Sequence, residues 1–189
     1  DRWEHWVAEP VSCVVNGLEW CGLVPGDRVA VVGTGFMGLM WVQGLKHTLA
    51  QEIVGIDIDA RRLALARQFG ADQTIDLTAP GADDEIAALR EKPFDLVIEV
   101  AGKQPALDLA YSLLRPSGTL TIFSWQRGGN RSVNLGDWHM KGFRVMNSGP
   151  AISPHFSQAF HRAVPLMAKG VFDLKPLVTH VVPVEQAQG

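Results

Sequence analysis

The chain has 189 residues, 47% hydrophobic and 20% charged, with a formal net charge of −3, the balance of one ordinary globular domain with or without extensions. It carries no electrostatic footprint for nucleic acid or an anionic membrane, and no apolar run approaches the roughly 20 residues of a membrane helix. Two cysteines, Cys13 and Cys21, exclude a disulfide framework.

No CxxC or HxxxH spacing forms a complete metal site, and the reading is a soluble protein of a reducing compartment, the cytoplasm. The chain opens "DRWEHWVAEP" and stops within "VVPVEQAQG". These ends suggest a piece of a longer polypeptide. Along the chain, residues 10–22 read as a helix, with Pro10 in its first turn and Val11, Val14, Val15 and Leu18 at helical spacing. Pro25-Gly26-Asp27 is a turn. Strands and helices then alternate: strand 28–32, helix 36–49, strand 53–57, helix 60–69, strand 73–76, helix 83–91, strand 94–100, helix 104–114 and strand 118–123.

A Gly- and Asn-rich loop covers 126–132, a strand 143–148, and a helix about 154–169. Ser153 suits that helix as N-cap, Pro154 as its first residue and Gly170 as its stop, while Pro165 should kink or shorten it. The tail from Val171 reads as extended. "VAVV" and "DLVIEV" are apolar nearly throughout, as in a sheet covered on both faces. The expected fold is therefore α/β, a Rossmann-type doubly wound parallel sheet of six strands with helices on both faces.

Gly33-Thr34-Gly35-Phe36-Met37-Gly38 is a GxGxxG between a predicted strand and a predicted helix, and Asp57 ends the next strand, 19 residues beyond Gly38. This context makes it a dinucleotide fingerprint rather than a chance run of glycines. Gly33 allows the tight turn, Gly35 lets a pyrophosphate approach the backbone, and Gly38 lets helix pack on strand. The helix N-terminus offers N–H groups and partial positive charge to the phosphates. Asp57 is placed to accept the ribose hydroxyls of NAD and to repel the 2′-phosphate of NADP. Asp59 is the better cap of the helix at 60–69, which frees Asp57; Arg61 and Arg62 stand against this, because arginines there hold a 2′-phosphate.

From Glu9 to about Ala187 the sequence resembles the medium-chain dehydrogenase/reductase family, especially its zinc-dependent alcohol, threonine and sorbitol dehydrogenases. The resemblance rests on "EPVSCVVNGLEWCGLVPGDRVAVVGTGFMGL", "VGIDIDARRLALARQFGAD", "FDLVIEVAG", "LRPSGTLTIF" and "LVTHVVPVEQA". It implies a linker helix and a stub of a GroES-like catalytic domain at 1–24, an NAD-binding domain at 25–170, and the start of a return to the catalytic domain at 171–189. It implies a Zn2+ in the parent enzyme with ligands mostly outside this chain. Glu9 falls where polyol dehydrogenases place a carboxylate at that zinc, the alternative being an exposed acid before a helix. Ser12 is implied to lie near the nicotinamide, Phe36 and Met37 to lend N–H groups to the pyrophosphate, and Arg62 to sit beside the adenosine ribose. Val100, Ala101 and Gly102 would line the cleft, and Ile122 and Phe123 would reach the nicotinamide end. "IFSW" departs from the small residues common there, so Phe123 or Trp125 would narrow that pocket.

The resemblance implies a homodimer or homotetramer through the edge strand at 142–148, against an ordinary solvated edge, and a small alcohol or polyol as substrate. The rival functions are a zinc-free NADPH-dependent reductase of the quinone-reductase type and a dinucleotide-binding module without chemistry; a methyltransferase is weaker. The six histidines show no ligand spacing, and Trp3, Trp6 and Trp20 read as interdomain packing. Cys13 and Cys21, eight apart, read as buried on one helical face. Arg115 rather than Lys follows Tyr111 by four, so the dyad of a short-chain dehydrogenase is absent.

Overall fold

A computed structural model of the chain describes residues 5–126, 128–149 and 155–186. Helix α1 (Ala8–Trp20) precedes the alternating series β1 (Arg28–Val32), α2 (Phe36–Lys46), β2 (Glu52–Asp57), α3 (Ala60–Phe69), β3 (Gln73–Asp76), α4 (Ala82–Glu91), β4 (Phe94–Glu99), α5 (Gln104–Leu113) and β5 (Leu114–Ile122). Then come α6 (Leu135–Lys141), β6 (Arg144–Asn147) and α7 (Phe156–Ala168). The six strands form one all-parallel sheet in the order β3-β2-β1-β4-β5-β6. The chain winds outward from β1 to β3, crosses over, and winds the other way from β4 to β6. Between β1 and β4 the connections leave in opposite directions, which opens a crevice at the carboxyl ends of the strands.

Alternation along the strands divides the core. Val29, Val31, Ile53, Leu96 and Ile98 face the layer of α1, α2, α3 and α7, whereas Ala30, Val32, Val54, Ile56 and Val97 face α4 and α5. The first layer is tight because small residues let the helices approach. A Cβ on Gly17 of α1 would lie 2.4 Å from Cζ2 of the fully buried Trp41, and one on Gly44 would lie 2.6 Å from Leu18. Phe172 and Leu174 are buried against this layer. The amide of Gln43 holds Asp173 there, donating to its carbonyl (3.1 Å) and accepting its N–H (2.5 Å).

The expected fold is the one observed, with local differences. The first helix starts at Ala8 and ends at Trp20, which leaves buried Cys21 just beyond it. The helix expected at 36–49 ends at Lys46. The strand expected from 118 begins at Leu114 and runs through Pro116, with Ser117 at φ 59° and a register shift against β4 between Phe94 and Leu96. Leu114 pairs with Phe94 and the ladder resumes only at Leu96 and Thr119, so Pro116-Ser117-Gly118 bulges out between the two pairs. Helix α6 was not foreseen: Asn134 caps it through the N–H groups of Gly136 (3.1 Å) and Asp137 (3.3 Å), and seven residues are too few to show a period.

Pro165 does not stop α7, which continues to Ala168, because near the end of a helix the missing N–H costs one bond only. Ser153, Pro154 and Trp3 lie outside the described residues. The tail expected to be extended contains short 3₁₀ turns at Lys175–Leu177 and Val184–Gln186.

Candidate functional site

The glycine loop joins β1 to α2 at the crevice. Gly33 sits at φ 98°, a conformation costly to any other residue, and donates its N–H to the Ile56 carbonyl (2.8 Å). A Cβ on Gly38 would lie 1.9 Å from the Gly33 carbonyl oxygen, so helix and turn touch through bare backbone. Gly35 differs: its φ of −66° suits any residue, and the nearest atom to an added Cβ is Arg62 Nη1 at 4.0 Å. Gly35 also opens α2, and no side chain caps that end. The first N–H groups of a helix have no partner within it. The loop thus presents a positive helix terminus to open space.

Asp57, at the end of β2, is 6% exposed. Its Oδ2 accepts the N–H (2.6 Å) and hydroxyl (3.3 Å) of Thr34. Its Oδ1 accepts the N–H groups of Ile58 (2.7 Å) and Asp59 (3.1 Å), and Arg62 Nη1 lies 3.7 Å away. The carboxylate therefore fastens the glycine loop to the end of β2. Asp59 does cap α3, through the Arg61 N–H (2.9 Å), and hydrogen bonds from Arg61 lower its pKa. The two acids divide as expected, but Asp57 is engaged rather than idle.

Beside the loop lies a cavity of about 500 Å³. Of the residues singled out in the sequence, Gly33, Gly35, Asp57, Arg62, Val100 and Ala101 line it. Sequence reasoning missed its far wall, where Lys103, Ala106 and Leu109 come from the start and inner face of α5. Only the position of α5 over the crevice marks them. Gly38 lies behind the loop, and Phe36, 41% exposed, and Met37 follow in the first turn of α2. Gly102 sits on the turn after β4, held to Glu99.

The remaining candidates lie elsewhere. Ile122 packs against the α5 layer, while Phe123 packs on the other face, edge-on to Trp41 with ring centroids 5.3 Å apart. Trp125 is 77% exposed. Ser12 is buried in α1, its hydroxyl donating to the Glu9 carbonyl (2.6 Å). Glu9 is exposed, and its carboxylate accepts the Cys13 thiol (3.2 Å). Burial, then the bond to Glu9 and its charge, push the Cys13 thiol up to about 12, so it stays protonated at neutral pH. Among the described residues no three His, Cys, Asp or Glu side chains gather as a metal site, and no helix is long and apolar enough to cross a membrane.

A second carboxylate escaped the sequence reading except as part of a strand. Glu99 ends β4 wholly buried. Its Oε1 accepts the N–H groups of Ala101 (2.8 Å) and Gly102 (2.7 Å). Its Oε2 accepts the Ser124 hydroxyl and the Gln126 side-chain amide (2.7 Å).

Comparison with known proteins agrees with this architecture. The sequence model described as "Zinc-binding dehydrogenase" matches residues 37–169. D-arabinitol dehydrogenase 1 of Uromyces fabae is 30% identical over 188 residues, covering 96% of this chain and 52% of that protein. The alcohol dehydrogenase TADH from Thermus sp. ATN1 superposes with a TM-score of 0.80 at 25% identity, over 95% of this chain and 52% of that one. A structure from Sinorhizobium meliloti 1021, bound to NADP, gives 0.76 at 25% identity, over 94% and 56%. The chain spans about half the length of the curated relatives it matches.

Proposed function

The chain belongs to the zinc-binding, medium-chain dehydrogenase family, and from that premise we propose that it is the coenzyme-binding part of an NAD-dependent, zinc-dependent alcohol or polyol dehydrogenase. On this reading residues 25–170 form the NAD-binding domain, while 1–24 and 171–189 belong to its junction with a GroES-like catalytic domain. The enzyme is cytoplasmic and pairs as a homodimer or homotetramer through the edge strand β6. Sedimentation velocity distinguishes paired from single copies.

The observation that carries the reading is the open face of Gly35. Gly33 and Gly38 are bare because this chain's own backbone crowds them, but among the described residues the nearest atom to a Cβ on Gly35 is Arg62 Nη1, 4.0 Å away. That space adjoins the cavity and an uncapped helix N-terminus, the setting that suits a diphosphate. Asp57 and Arg62 would then meet the adenosine ribose, and Val100 and Ala101 the adenosine beside it. Phe36 and Met37 would give N–H groups to the diphosphate. Gly102 would line the cleft beside Val100 and Ala101, and Ser12, Ile122 and Phe123 would lie toward the nicotinamide end. A bound nicotinamide ring supplies the chemistry, exchanging a hydride with the carbinol carbon of a secondary alcohol. This chain's own residues bind the dinucleotide, fix its direction across the crevice and shield its adenosine half from water. For zinc, Glu9 offers one exposed carboxylate, and the described residues gather no fuller ligand set.

A second reading, an NADPH-dependent zinc-free reductase, draws support from the cations of the cavity, Arg62 and Lys103. Calorimetry separates the two. NAD is expected to bind the chain at least about tenfold more tightly than NADP, because a 2′-phosphate beside Asp57 meets a like charge. The opposite order overturns the NAD reading.

A further inference from the structure

The Glu99 carboxylate has no part in the contacts proposed above, yet it is among the most enclosed polar groups of the chain. A buried carboxylate is costly unless its acceptor sites are filled, and four donors fill them here: the N–H groups of Ala101 and Gly102, the Ser124 hydroxyl and the Gln126 amide. The bonds continue into a ring. Gln126 Oε1 accepts Arg131 Nε (2.9 Å), and Arg131 Nη2 donates to the Gly102 carbonyl (2.7 Å). Inside the ring the two turns nearly touch: Gly102 lies at φ +68°, and a Cβ there would be 3.0 Å from the Trp125 carbonyl oxygen.

The position of the ring gives it a use. The turn after β4 supplies Val100 and Ala101 to the wall of the cavity. Ser124 and Gln126 follow β5, which lies with β4 across the switch point from β1 and β2. A dinucleotide with its adenosine in the cavity runs its second half over that side. We propose that Glu99 is a positioning residue, which latches the segment after β5 to the β4–α5 turn and so sets the grip on the nicotinamide half of the coenzyme; the inference rests on the dinucleotide reading above.

The chemistry of the latch supplies its test. In Glu99→Gln the remaining carbonyl oxygen still accepts Ala101 and Gly102, so the turn survives. The new amide donor, however, faces the amide donor of Gln126. Gln126 must present its carbonyl oxygen instead, which takes that acceptor from Arg131 and opens the ring. The double variant E99Q/Q126E again sets a donor at 99 against an acceptor at 126 that also receives Arg131.

Calorimetry on the 189-residue chain compares NAD with ADP-ribose, which lacks the nicotinamide ring. E99Q is expected to weaken NAD about tenfold, the scale of one lost charge-assisted hydrogen bond. ADP-ribose should change by less than about twofold and the double variant should recover most of the loss. Arg131→Met, which opens the ring without touching the buried carboxylate, gives the same split and serves if E99Q does not fold. Equal weakening of both ligands, unchanged NAD binding or a double variant that fails to recover overturns the latch while the dinucleotide reading stands. Failure of the unaltered chain to bind either ligand overturns that reading and the inference with it.

Discussion

The two halves of the sheet are built to different standards of closure. In the β3-β2-β1 half, β1 and β2 are buried along nearly their whole length. They pair in continuous register, and Gly33 and Gly38 of the loop after β1 fit against the chain's own backbone. In the β4-β5-β6 half, β5 shifts register, α6 buries no residue and β6 is an edge strand with exposed ends. Leu135 and Met140 beside it are 70% and 84% exposed. Both halves end in an edge strand, but β3 buries its two central residues whereas β6 buries none. The second half therefore offers a more exposed edge with apolar surface near it in the chain, a template for further pairing.

The largest test of the contrast is Gly38→Ala. A Cβ 1.9 Å from the Gly33 carbonyl cannot be housed without moving the loop, so denaturant unfolding should show a loss of roughly 3 kcal/mol. A loss below about 0.5 kcal/mol would show that the first half is not closed by this contact. Gly35→Ala sharpens the point at the same loop. Stability should hold or rise by up to about 1 kcal/mol, since φ is ordinary and the space is open. NAD binding should nevertheless fall at least about tenfold, because the methyl group stands where backbone must meet phosphate. Unchanged binding would mean that the open face is not a diphosphate seat.

The smallest effect concerns the seam between the halves. Asp95, on β4, accepts the Arg28 N–H from β1 (2.8 Å) and the Arg115 guanidinium from β5 (2.6 Å). Burial pushes its pKa up, but these two bonds outweigh it and hold the carboxyl below the ordinary range. A depressed folded pKa contributes stability above the unfolded value near 3.9, and that contribution is lost as pH falls through the folded value. Asp95→Asn should therefore make stability less steep in pH below about 4, measured by urea titration. An unchanged slope would remove Asp95 from the seam.

Most of the scaffold was legible in the sequence because it is local. Strand and helix periods, the Pro-Gly-Asp turn and the fingerprint from Gly33 to Gly38 with Asp57 each follow from neighbours along the chain. Helix α6 was not legible, being short and dependent on one Asn cap, and neither was the start of β5, where Leu114 pairs with Phe94 ahead of a bulge made of turn-forming residues.

The sequence by itself determined the winding of the sheet, the bare loop after its first strand and the acid that ends its second, since period and turn chemistry are properties of short stretches. Only the tertiary structure decided which glycine faces open space, that Asp57 is tied to Thr34, and that Glu99 closes a ring with Gln126, Arg131 and Gly102. The bonds Thr34–Asp57, Glu99–Gln126 and Gly102–Arg131 join residues 23, 27 and 29 positions apart. They exist because parallel strands bring all their carboxyl ends to one edge, where loops distant in sequence must satisfy each other's hydrogen bonds.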